Sequence, residues 1–213
     1  MQRCTVVCSD ASHPVNSFLA EWQHSVRSEA SVEIVRNVAD AEEGDYLFLI
    51  SCQEIVASSV ASRFRHALVV HASDLPRGRG MSPHVWQILE GKDLVVVTLL
   101  NVAEPVDSGA IWSQISVHIP RNAVCAEINK LIFDAELRLM GWALRHCDAQ
   151  QPRAQVGEPT YYRRRTPADS EVDPSKPLAE VFDQLRVADP GRYPAFFRLR
   201  DRVYRIRIEP VDP

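Results

Sequence analysis

The chain has 213 residues, of which 46% are hydrophobic and 24% charged, and its formal net charge at pH 7 is -4. This composition excludes an intrinsically disordered chain and is sufficient for one full hydrophobic core with an appended piece. The negative net charge argues against a protein that binds nucleic acid along the phosphate backbone, so we expect no nucleic-acid partner.

No segment approaches about 18 consecutive apolar residues, and the N-terminal residues enter a strand-like run without a signal-peptide pattern. We therefore expect a cytoplasmic protein with no membrane partner. The five cysteines are an odd number, have no C-x-x-C spacing and lie mostly in apolar runs. This pattern predicts reduced packing residues and no metal site. The cysteines are Cys4, Cys8, Cys52, Cys125 and Cys147.

Up to residue 150, short β-rich apolar runs alternate with segments whose apolar residues recur at helical spacing. This alternation is typical of βαβ units around a mostly parallel sheet covered on both faces, and it predicts an α/β domain over residues 1–150. The predicted strands are 4–8, 31–35, 46–51, 67–71 and 94–100, and the predicted helices are 14–28, 54–64, 83–89 and 122–147.

The polar segment 148–158 predicts a linker, and residues 151–213 as a whole predict a short C-terminal lobe. Because a two-stranded ribbon is only marginally stable alone, the hairpin in this lobe predicts pairing with a second copy, hence a homodimer. The elements expected in the lobe are a helix over 178–187, strands over 195–199 and 203–208, and a turn at Arg200 and Asp201.

His71 ends a hydrophobic strand and is followed by a Gly-rich loop that continues to Gly80. In an open parallel sheet, ligands bind beyond the carboxyl ends of the strands, so this histidine is a candidate site residue. A histidine that closes a strand is more often a partly buried structural residue. Asp107 strengthens the case, because an aspartate beside a histidine holds one tautomer and favours the cation. Such a pair suits the stabilisation of an oxyanion and the transfer of a proton.

Three motifs around these residues resemble those of a known family. The run from His71 to Gly80, H-A-S-D-L-P-R-G-R-G, is similar to H-x-S-x-L-P-x-x-x-G. It is followed by a V-T pair that ends at Thr98 and, nine residues later, by D-S-G-A-I from Asp107, which is similar to D-x-G-x-I. On these motifs and their order, the chain resembles the folate-dependent formyltransferases, the methionyl-tRNA formyltransferase-like family.

Two further stretches are most similar to the sugar N-formyltransferase branch of that family. The run R-R-T-P-A-D-S from Arg164 looks like the start of its C-terminal lobe, and P-A-F-F from Pro194 looks like the entry to its hairpin. The resemblance therefore implies a Rossmann-like formyltransferase domain followed by a short C-terminal lobe with a helix and a β-hairpin.

The resemblance implies N10-formyltetrahydrofolate as formyl donor and a catalytic set of Asn, His and Asp, of which His71 and Asp107 match the last two. In the family the asparagine lies two residues before the histidine, and here that position is Val69. Two explanations stay open. A polar side chain from a neighbouring strand end replaces the amide, which we favour, or the site is degenerate. The candidates for the replacement are Ser51, Gln53 and Asn101.

The resemblance also implies where folate binds. The strand end near Ser51 and the turn 102–106 are expected to cradle the pterin, and the loop 73–80 is expected to line the formyl pocket. The expected folate-contacting residues are Ser51, Ser73, Leu75, Pro76, Gly80, Val102, Glu104 and Val106.

The C-terminal resemblance implies an amino sugar as acceptor, either nucleotide-linked or a nonulosonate precursor, for surface polysaccharide biosynthesis. Glycinamide ribonucleotide is the alternative acceptor, and a folate-binding protein without transfer activity is the alternative that Val69 favours. Methionyl-tRNA is disfavoured because that branch carries a larger basic RNA-binding domain, whereas this tail has a charge of only +2. Most arginines of the tail suit a solvated face and a minority suit a phosphate of the substrate; composition does not separate the two.

Overall fold

The computed structural model describes residues 1–211, which contain ten strands and five α-helices. The strands are β1 (Gln2–Val7), β2 (Ala30–Val35), β3 (Gly44–Leu49), β4 (Phe64–His71), β5 (Arg79–Gly80), β6 (Leu94–Asn101), β7 (Ile111–His118), β8 (Tyr161–Tyr162), β9 (Ala195–Leu199) and β10 (Arg202–Ile206). The helices are α1 (Val15–Ser25), α2 (Ser58–Ala61), α3 (Pro83–Leu89), α4 (Cys125–His146) and α5 (Leu178–Arg186).

Six strands form one sheet in the order β2-β1-β3-β4-β6-β7. The first four run parallel, with Val7 paired to Leu49 and Leu49 paired to Val69. β6 and β7 are antiparallel to their neighbours. The carboxyl ends of β1, β3 and β4 therefore meet at one edge, where ligands bind in sheets of this kind. The predicted α/β architecture with a mostly parallel sheet is confirmed.

The larger core lies between this sheet and the helices α1 and α4. Trp22 of α1 packs edge-on against Phe48 of β3, with ring centroids 6.0 Å apart, and both are buried. Ile132 and Leu139 lie two turns apart on α4 and are also buried. The apolar stripe predicted for the long helix thus faces the sheet, and the helix is confirmed within its predicted range.

On the other face of the sheet, one predicted helix is wrong. Residues 54–64 contain only the single turn α2, and Phe64 already belongs to β4. The serines of this segment explain the difference, because serine hydroxyls offer the backbone partners that compete with a helix. Ser62 Oγ, for example, donates to the carbonyl of Ser59 at 3.3 Å. This leaves a thin cover over the smaller apolar cluster on this face.

β7 has no counterpart among the predicted strands. It is the edge strand of the sheet, and Ser113, Gln114 and Ser116 interrupt its apolar residues. An edge strand that is half exposed does not need a strict alternation of apolar and polar residues, so its sequence pattern is weak.

The segment 148–158, predicted as a linker, is bonded to the main sheet. Arg153 pairs with Ile111 at the start of β7 through two backbone hydrogen bonds of 2.8 and 2.7 Å. Next, β8 pairs in parallel with β5, which places Tyr162 beside Gly80. The chain therefore returns to the loop after β4 before it enters the C-terminal lobe. The domain boundary at residue 150 stays a prediction.

The helix and the hairpin predicted for the lobe are both present. α5 buries Val181 and Leu185 against Ala195 of β9. β9 and β10 are antiparallel, and Arg200 and Asp201 between them have φ values of 50° and 59°. Two successive residues with positive φ match the twist of a two-residue hairpin turn. None of the helices in residues 1–211 is long and apolar enough to cross a membrane.

Candidate active site

A cavity of about 280 Å³ opens at the carboxyl edge of the sheet. Its walls come from the ends of β3 and β4, the start of α3, one face of α4 and the C-terminal lobe. The cavity thereby joins residues far apart in sequence. Its lining includes Ser51, Val69, His71, Asp107, Glu136 and Arg165.

The two residues predicted for catalysis, His71 and Asp107, lie together in this cavity. They are 8% and 7% exposed, and His71 Nδ1 is 3.8 Å from Asp107 Oδ1. The other ring nitrogen, Nε2, lies 2.9 Å from the carbonyl oxygen of Gly78. Since a carbonyl only accepts, Nε2 carries the hydrogen in this contact, and Nδ1 faces the carboxylate. The imidazole is thus bonded to the backbone on one side and faces the carboxylate of Asp107 on the other.

Asp107 is held in turn by backbone contacts of the loop after β4. It has φ of 59°, a left-handed conformation that aspartate tolerates better than most residues. Its Oδ2 accepts a hydrogen bond from the N–H of Gly80 at 2.9 Å. This bond leaves the other carboxylate oxygen to His71.

The motif glycines are required by close backbone contacts. Gly80 has φ of 101°, and a Cβ there would lie 2.2 Å from the carbonyl oxygen of Tyr162. A Cβ on Gly109 would lie 1.9 Å from the carbonyl oxygen of Asn101. Both glycines therefore allow the chain to pack closely around Asp107.

Gln155 fixes the turn of Asp107, and the sequence analysis did not identify it. Its Nε2 donates to the carbonyl oxygens of Asp107 and Gly109, both at 2.8 Å, and its Oε1 accepts from Arg79 at 2.7 Å. It lies in the polar segment predicted as a linker, where the local pattern carries no signal for such a contact. The segment thus supports the site as well as connecting the two parts of the chain.

Val69 lies in the cavity wall two residues before His71, on the same side of β4, where the resemblance expects an asparagine. Of the three candidate replacements, Ser51 and Gln53 line the cavity. Ser51 Oγ lies 3.2 Å from His13 Nε2, and Gln53 Oε1 accepts from Arg164 at 3.0 Å. Asn101 lies apart from them on β6, where its Oδ1 accepts from Trp112 at 2.6 Å.

The residues predicted to contact folate are divided between the cavity and its surroundings. Ser51, Gly80 and Val106 line the cavity. The other five do not line it. Ser73 and Leu75 are buried, Pro76 follows Leu75 in a cis peptide, Val102 N–H donates to the carbonyl of Ala67 at 2.8 Å, and Glu104 is exposed.

The cavity wall also carries titratable groups on α4, on α3 and in the loop before α1 that the sequence analysis did not identify. Burial raises the pKa of Glu136 to about 8. Burial lowers the pKa of His84 to about 4, and burial together with the charge of Arg192 lowers that of His13 to about 4. Glu136 could have been noticed as a carboxylate inside the apolar stripe of the long helix.

All five cysteines are free thiols, and burial raises the pKa of Cys4 and Cys147 to about 12. These two are therefore unreactive packing residues at neutral pH. Within residues 1–211, no group of three or more His, Cys, Asp or Glu side chains is arranged to hold a metal ion.

The family model described as formyl transferase matches residues 4–144, well over half of the chain. The chain belongs to the formyl transferase family. The family assignment drawn from the motifs is thereby confirmed, and a formyl-transfer enzyme is supported. The matched range contains the His71–Asp107 pair, all but the first two residues of the six-stranded sheet and all but the last two residues of α4.

Solved structures share the formyl transferase fold over nearly the whole chain. A methionyl-tRNA formyltransferase from Clostridium thermocellum has a TM-score of 0.84 at 20% identity, over 100% of this chain and 94% of that one. A sugar N-formyltransferase from a Shewanella species has a TM-score of 0.75 at 18% identity, over 100% of both chains. HypX from Aquifex aeolicus, in complex with tetrahydrofolic acid, has a TM-score of 0.80 at 17% identity, over 95% of this chain and 36% of that one. At these identities the likeness concerns the fold, so the Rossmann-like formyltransferase fold is confirmed.

Proposed function

We propose that this protein is an N-formyltransferase that moves the formyl group of N10-formyltetrahydrofolate to the amino group of an amino sugar, nucleotide-linked or a nonulosonate precursor, for surface polysaccharide biosynthesis. The observation that carries the proposal is the buried His71–Asp107 pair in a cavity at the strand ends. The family membership supports the reaction, and the sugar N-formyltransferase from Shewanella, alike over the full length of both chains, supports the acceptor class.

Folate as the formyl donor is supported by the family and by the tetrahydrofolate complex of HypX. The cavity suits the formyl end of such a donor, because an imidazole and a carboxylate lie beside the apolar wall at Val69. In the proposal, Ser51, Gly80 and Val106 contact the donor directly. Ser73, Leu75, Pro76, Val102 and Glu104 then shape the loops that surround it.

The proposed chemistry is attack of the uncharged amine on the formyl carbon. The new carbon–nitrogen bond forms first, and the bond to N10 of the folate then breaks. When the substrates bind, the Nε2–H of His71 turns from the carbonyl oxygen of Gly78 to the oxygen of the tetrahedral intermediate, and the proton that the amine loses passes to the departing N10. Asp107 orients His71 and helps to take the proton that the amine loses, directly or through water.

Val69 removes one donor that the family motif places at the oxyanion, and the loss of such a donor costs about 2.7–4 kcal/mol in comparable enzymes. Ser51 is the replacement that we favour, because its hydroxyl lines the cavity and bonds only to His13 among the side chains of residues 1–211. Gln53 is the second candidate. Asn101 is the third, and if none of the three acts, the alternative is a folate-binding protein without transfer activity.

Chain length does not separate an amino sugar from methionyl-tRNA as acceptor. The methionyl-tRNA formyltransferase from Clostridium is matched over 94% of its own length. The net charge of -4 still disfavours tRNA, and glycinamide ribonucleotide is the third candidate. The acceptor is therefore the part of the proposal that most needs a direct assay.

The assay is release of tetrahydrofolate from N10-formyltetrahydrofolate, followed by absorbance. Nucleotide-linked amino sugars, free amino sugars, glycinamide ribonucleotide and methionyl-tRNA are each offered as acceptor. Turnover with an amino sugar supports the proposal. Turnover with glycinamide ribonucleotide alone, or with methionyl-tRNA alone, identifies that compound as the acceptor instead. Folate binding without turnover across the whole panel favours the degenerate site.

The cytoplasmic location and the homodimer are also part of the proposal. Leu199 and Val203, on either side of the hairpin turn, are 49% and 53% exposed, which supports pairing of this ribbon with a second copy. Light scattering checks it: the wild type is expected to have the mass of a dimer, and Val203→Asp that of a monomer.

A further inference from the structure

Two buried charged side chains in the cavity wall lack the partners that folded proteins normally give such groups. Glu136 is 8% exposed and Arg165 is 7% exposed, and both line the cavity that contains His71. Within residues 1–211, nothing forms a hydrogen bond with Glu136 Oε2 or with Arg165 Nε. Since a buried polar group without a partner costs free energy, such groups point to something that binds there.

Arg186 provides a comparison within the same chain. It is 2% exposed, so its burial is at least as complete as that of Arg165. Its guanidinium donates to the carboxylate of Asp183 at 2.5 Å and to the carbonyl oxygens of Pro120 and Ala123 at 3.2 and 3.4 Å. The fold therefore satisfies this arginine by itself, as a structural role requires.

Arg165 is held much less fully. It donates to the hydroxyl of Ser170 at 3.3 Å and lies over the ring of Tyr193, 5.3 Å from the centroid. Burial lowers its pKa, which means that the fold destabilises its charge. An anion in the cavity would offset that cost by pairing with the guanidinium.

The partner that suits Glu136 differs from the anion that suits Arg165. Its burial favours the neutral carboxyl at pH 7, since the pKa is raised to about 8. A neutral carboxyl donates one hydrogen bond and accepts others, so it matches a hydroxyl group. Glu136 and Arg165 can thus bind two different groups of one ligand, a hydroxyl and an anion.

We propose that Glu136 and Arg165 form the acceptor subsite and hold an amino sugar that carries an anionic group, with Glu136 on its hydroxyl groups and Arg165 on the anion. The proposal rests on the proposed function, which it deepens. The cavity of about 280 Å³ is slightly smaller than the usual small-molecule site of about 300–1,000 Å³, which limits the ligand held there to about one sugar ring with its anion. Phosphate and carboxylate both fit the chemistry of the anion.

Binding without folate tests the subsite independently of catalysis. The full chain is titrated calorimetrically with glucosamine 6-phosphate, with 2-amino-2-deoxyglucuronic acid and with glucosamine. We expect Arg165→Met to weaken the better of the two anionic probes by about tenfold or more and to leave glucosamine unchanged. The preferred probe tells a phosphate from a carboxylate ligand, and equal binding of both anionic probes to wild type and Arg165→Met overturns the proposal.

Two substitutions at Glu136 separate hydrogen bonding from structure. Glu136→Met removes both hydrogen-bonding atoms and is expected to weaken all three probes by about tenfold, whereas Glu136→Gln keeps a donor and an acceptor and stays within about threefold of wild type. Exposed Glu21 and Arg207, changed to Met, are the matched controls. Wild-type affinity in Glu136→Met overturns the proposal.

The transfer assay distinguishes failure of the subsite from failure of the proposed function. Glu136→Met and Arg165→Met are expected to raise the acceptor KM by about tenfold with the donor KM unchanged. Transfer with an unchanged acceptor KM in both variants overturns the subsite and leaves the proposed function standing. Probe binding that depends on both residues, without transfer by wild type to any acceptor, supports the subsite and overturns the proposed function.

Discussion

The two walls of the cavity hold their polar groups in opposite ways. On the β4 side, His71 and Asp107 are bonded to the backbone of Gly78 and Gly80, so the chain itself fixes the pair. On the side of α4 and the C-terminal lobe, Glu136 and Arg165 are as deeply buried but keep atoms without partners. Groups that act on a reacting atom must be fixed before the substrate arrives, whereas groups that bind a ligand complete their hydrogen bonds with it.

The contrast between the two walls requires that His71 be essential for catalysis. We expect His71→Asn to lower kcat by about 10²–10⁴-fold, the usual contribution of a general acid or base, with little change in acceptor affinity. His118→Asn, an exposed histidine at the end of β7, is the matched control and should keep wild-type activity. Steady-state kinetics with thermal unfolding of both variants measures this, and a rate for His71→Asn like that of the control contradicts the assignment.

The pH dependence of the stability of Glu136→Gln tests whether Glu136 is neutral in the folded protein. With a folded pKa of about 8 against an ordinary value of 4.5, the folded wild type keeps a proton that the unfolded chain loses. The stability associated with neutral Glu136 is thus complete below about pH 4.5 and is lost as the pH rises through about 8. The glutamine of Glu136→Gln does not titrate. The free energy of unfolding of this variant, relative to that of wild type, should therefore rise by on the order of 3 kcal/mol between pH 5 and pH 8.5.

Chemical unfolding at the two pH values checks this expectation. Glu21→Gln, at an exposed position of α1, is the control for the substitution itself. A difference between Glu136→Gln and wild type that is the same at both pH values would mean that Glu136 is charged in the folded protein. The hydroxyl-binding role would then have to be abandoned.

The loop that fixes Asp107 should be sensitive to a single methyl group. Gly80→Ala combines an unfavourable φ with a contact to Tyr162, and we expect it to destabilise the protein by about 3 kcal/mol or more. Gly91 also has a positive φ, but nothing lies within 4 Å of a Cβ built there, so Gly91→Ala should cost only about 1 kcal/mol. Equal Tm values for the two variants would show that the close approach at Gly80 is not needed.

Gln155 should have the smallest effect on activity, because it acts through Asp107. We expect Gln155→Ala to lower kcat about tenfold while the KM values for donor and acceptor stay near wild type. Thermal unfolding should change little, since the side chain is only partly buried. A fall in stability with an unchanged kcat would make Gln155 a structural residue and not a positioning one.

The sequence predicted those parts of the fold and the site that depend on local pattern. The long helix, the hairpin with its turn at Arg200 and Asp201, and the central strands all follow from periodicity and turn residues. The motifs around His71 and Asp107 predicted two members of the site because they resemble a family. The local pattern gave a wrong helix at 54–64, where serine hydroxyls compete for the backbone hydrogen bonds of a helix. It gave no strand at β7, because polar residues interrupt the apolar residues of this edge strand.

The rest of the site is formed by contacts between distant segments, which no local pattern encodes. Gln155 bonds to Asp107 across 48 residues and resembles any other residue of a polar segment. Glu136 looks like an ordinary residue of α4 until its burial is known. Arg165 belongs to the R-R-T-P-A-D-S motif and to the arginines of the tail, but neither pattern predicts that it is buried in the cavity wall.

The most direct test of the account is transfer of a labelled formyl group. Wild type and His71→Asn are each incubated with N10-[¹³C]formyltetrahydrofolate and an anionic amino sugar, and the sugar is analysed by mass spectrometry. The account predicts that the label appears as an N-formyl group on the sugar with wild type and is lost almost completely with His71→Asn. Labelled sugar formed equally by both proteins, or free labelled formate with no formylated sugar, would contradict it.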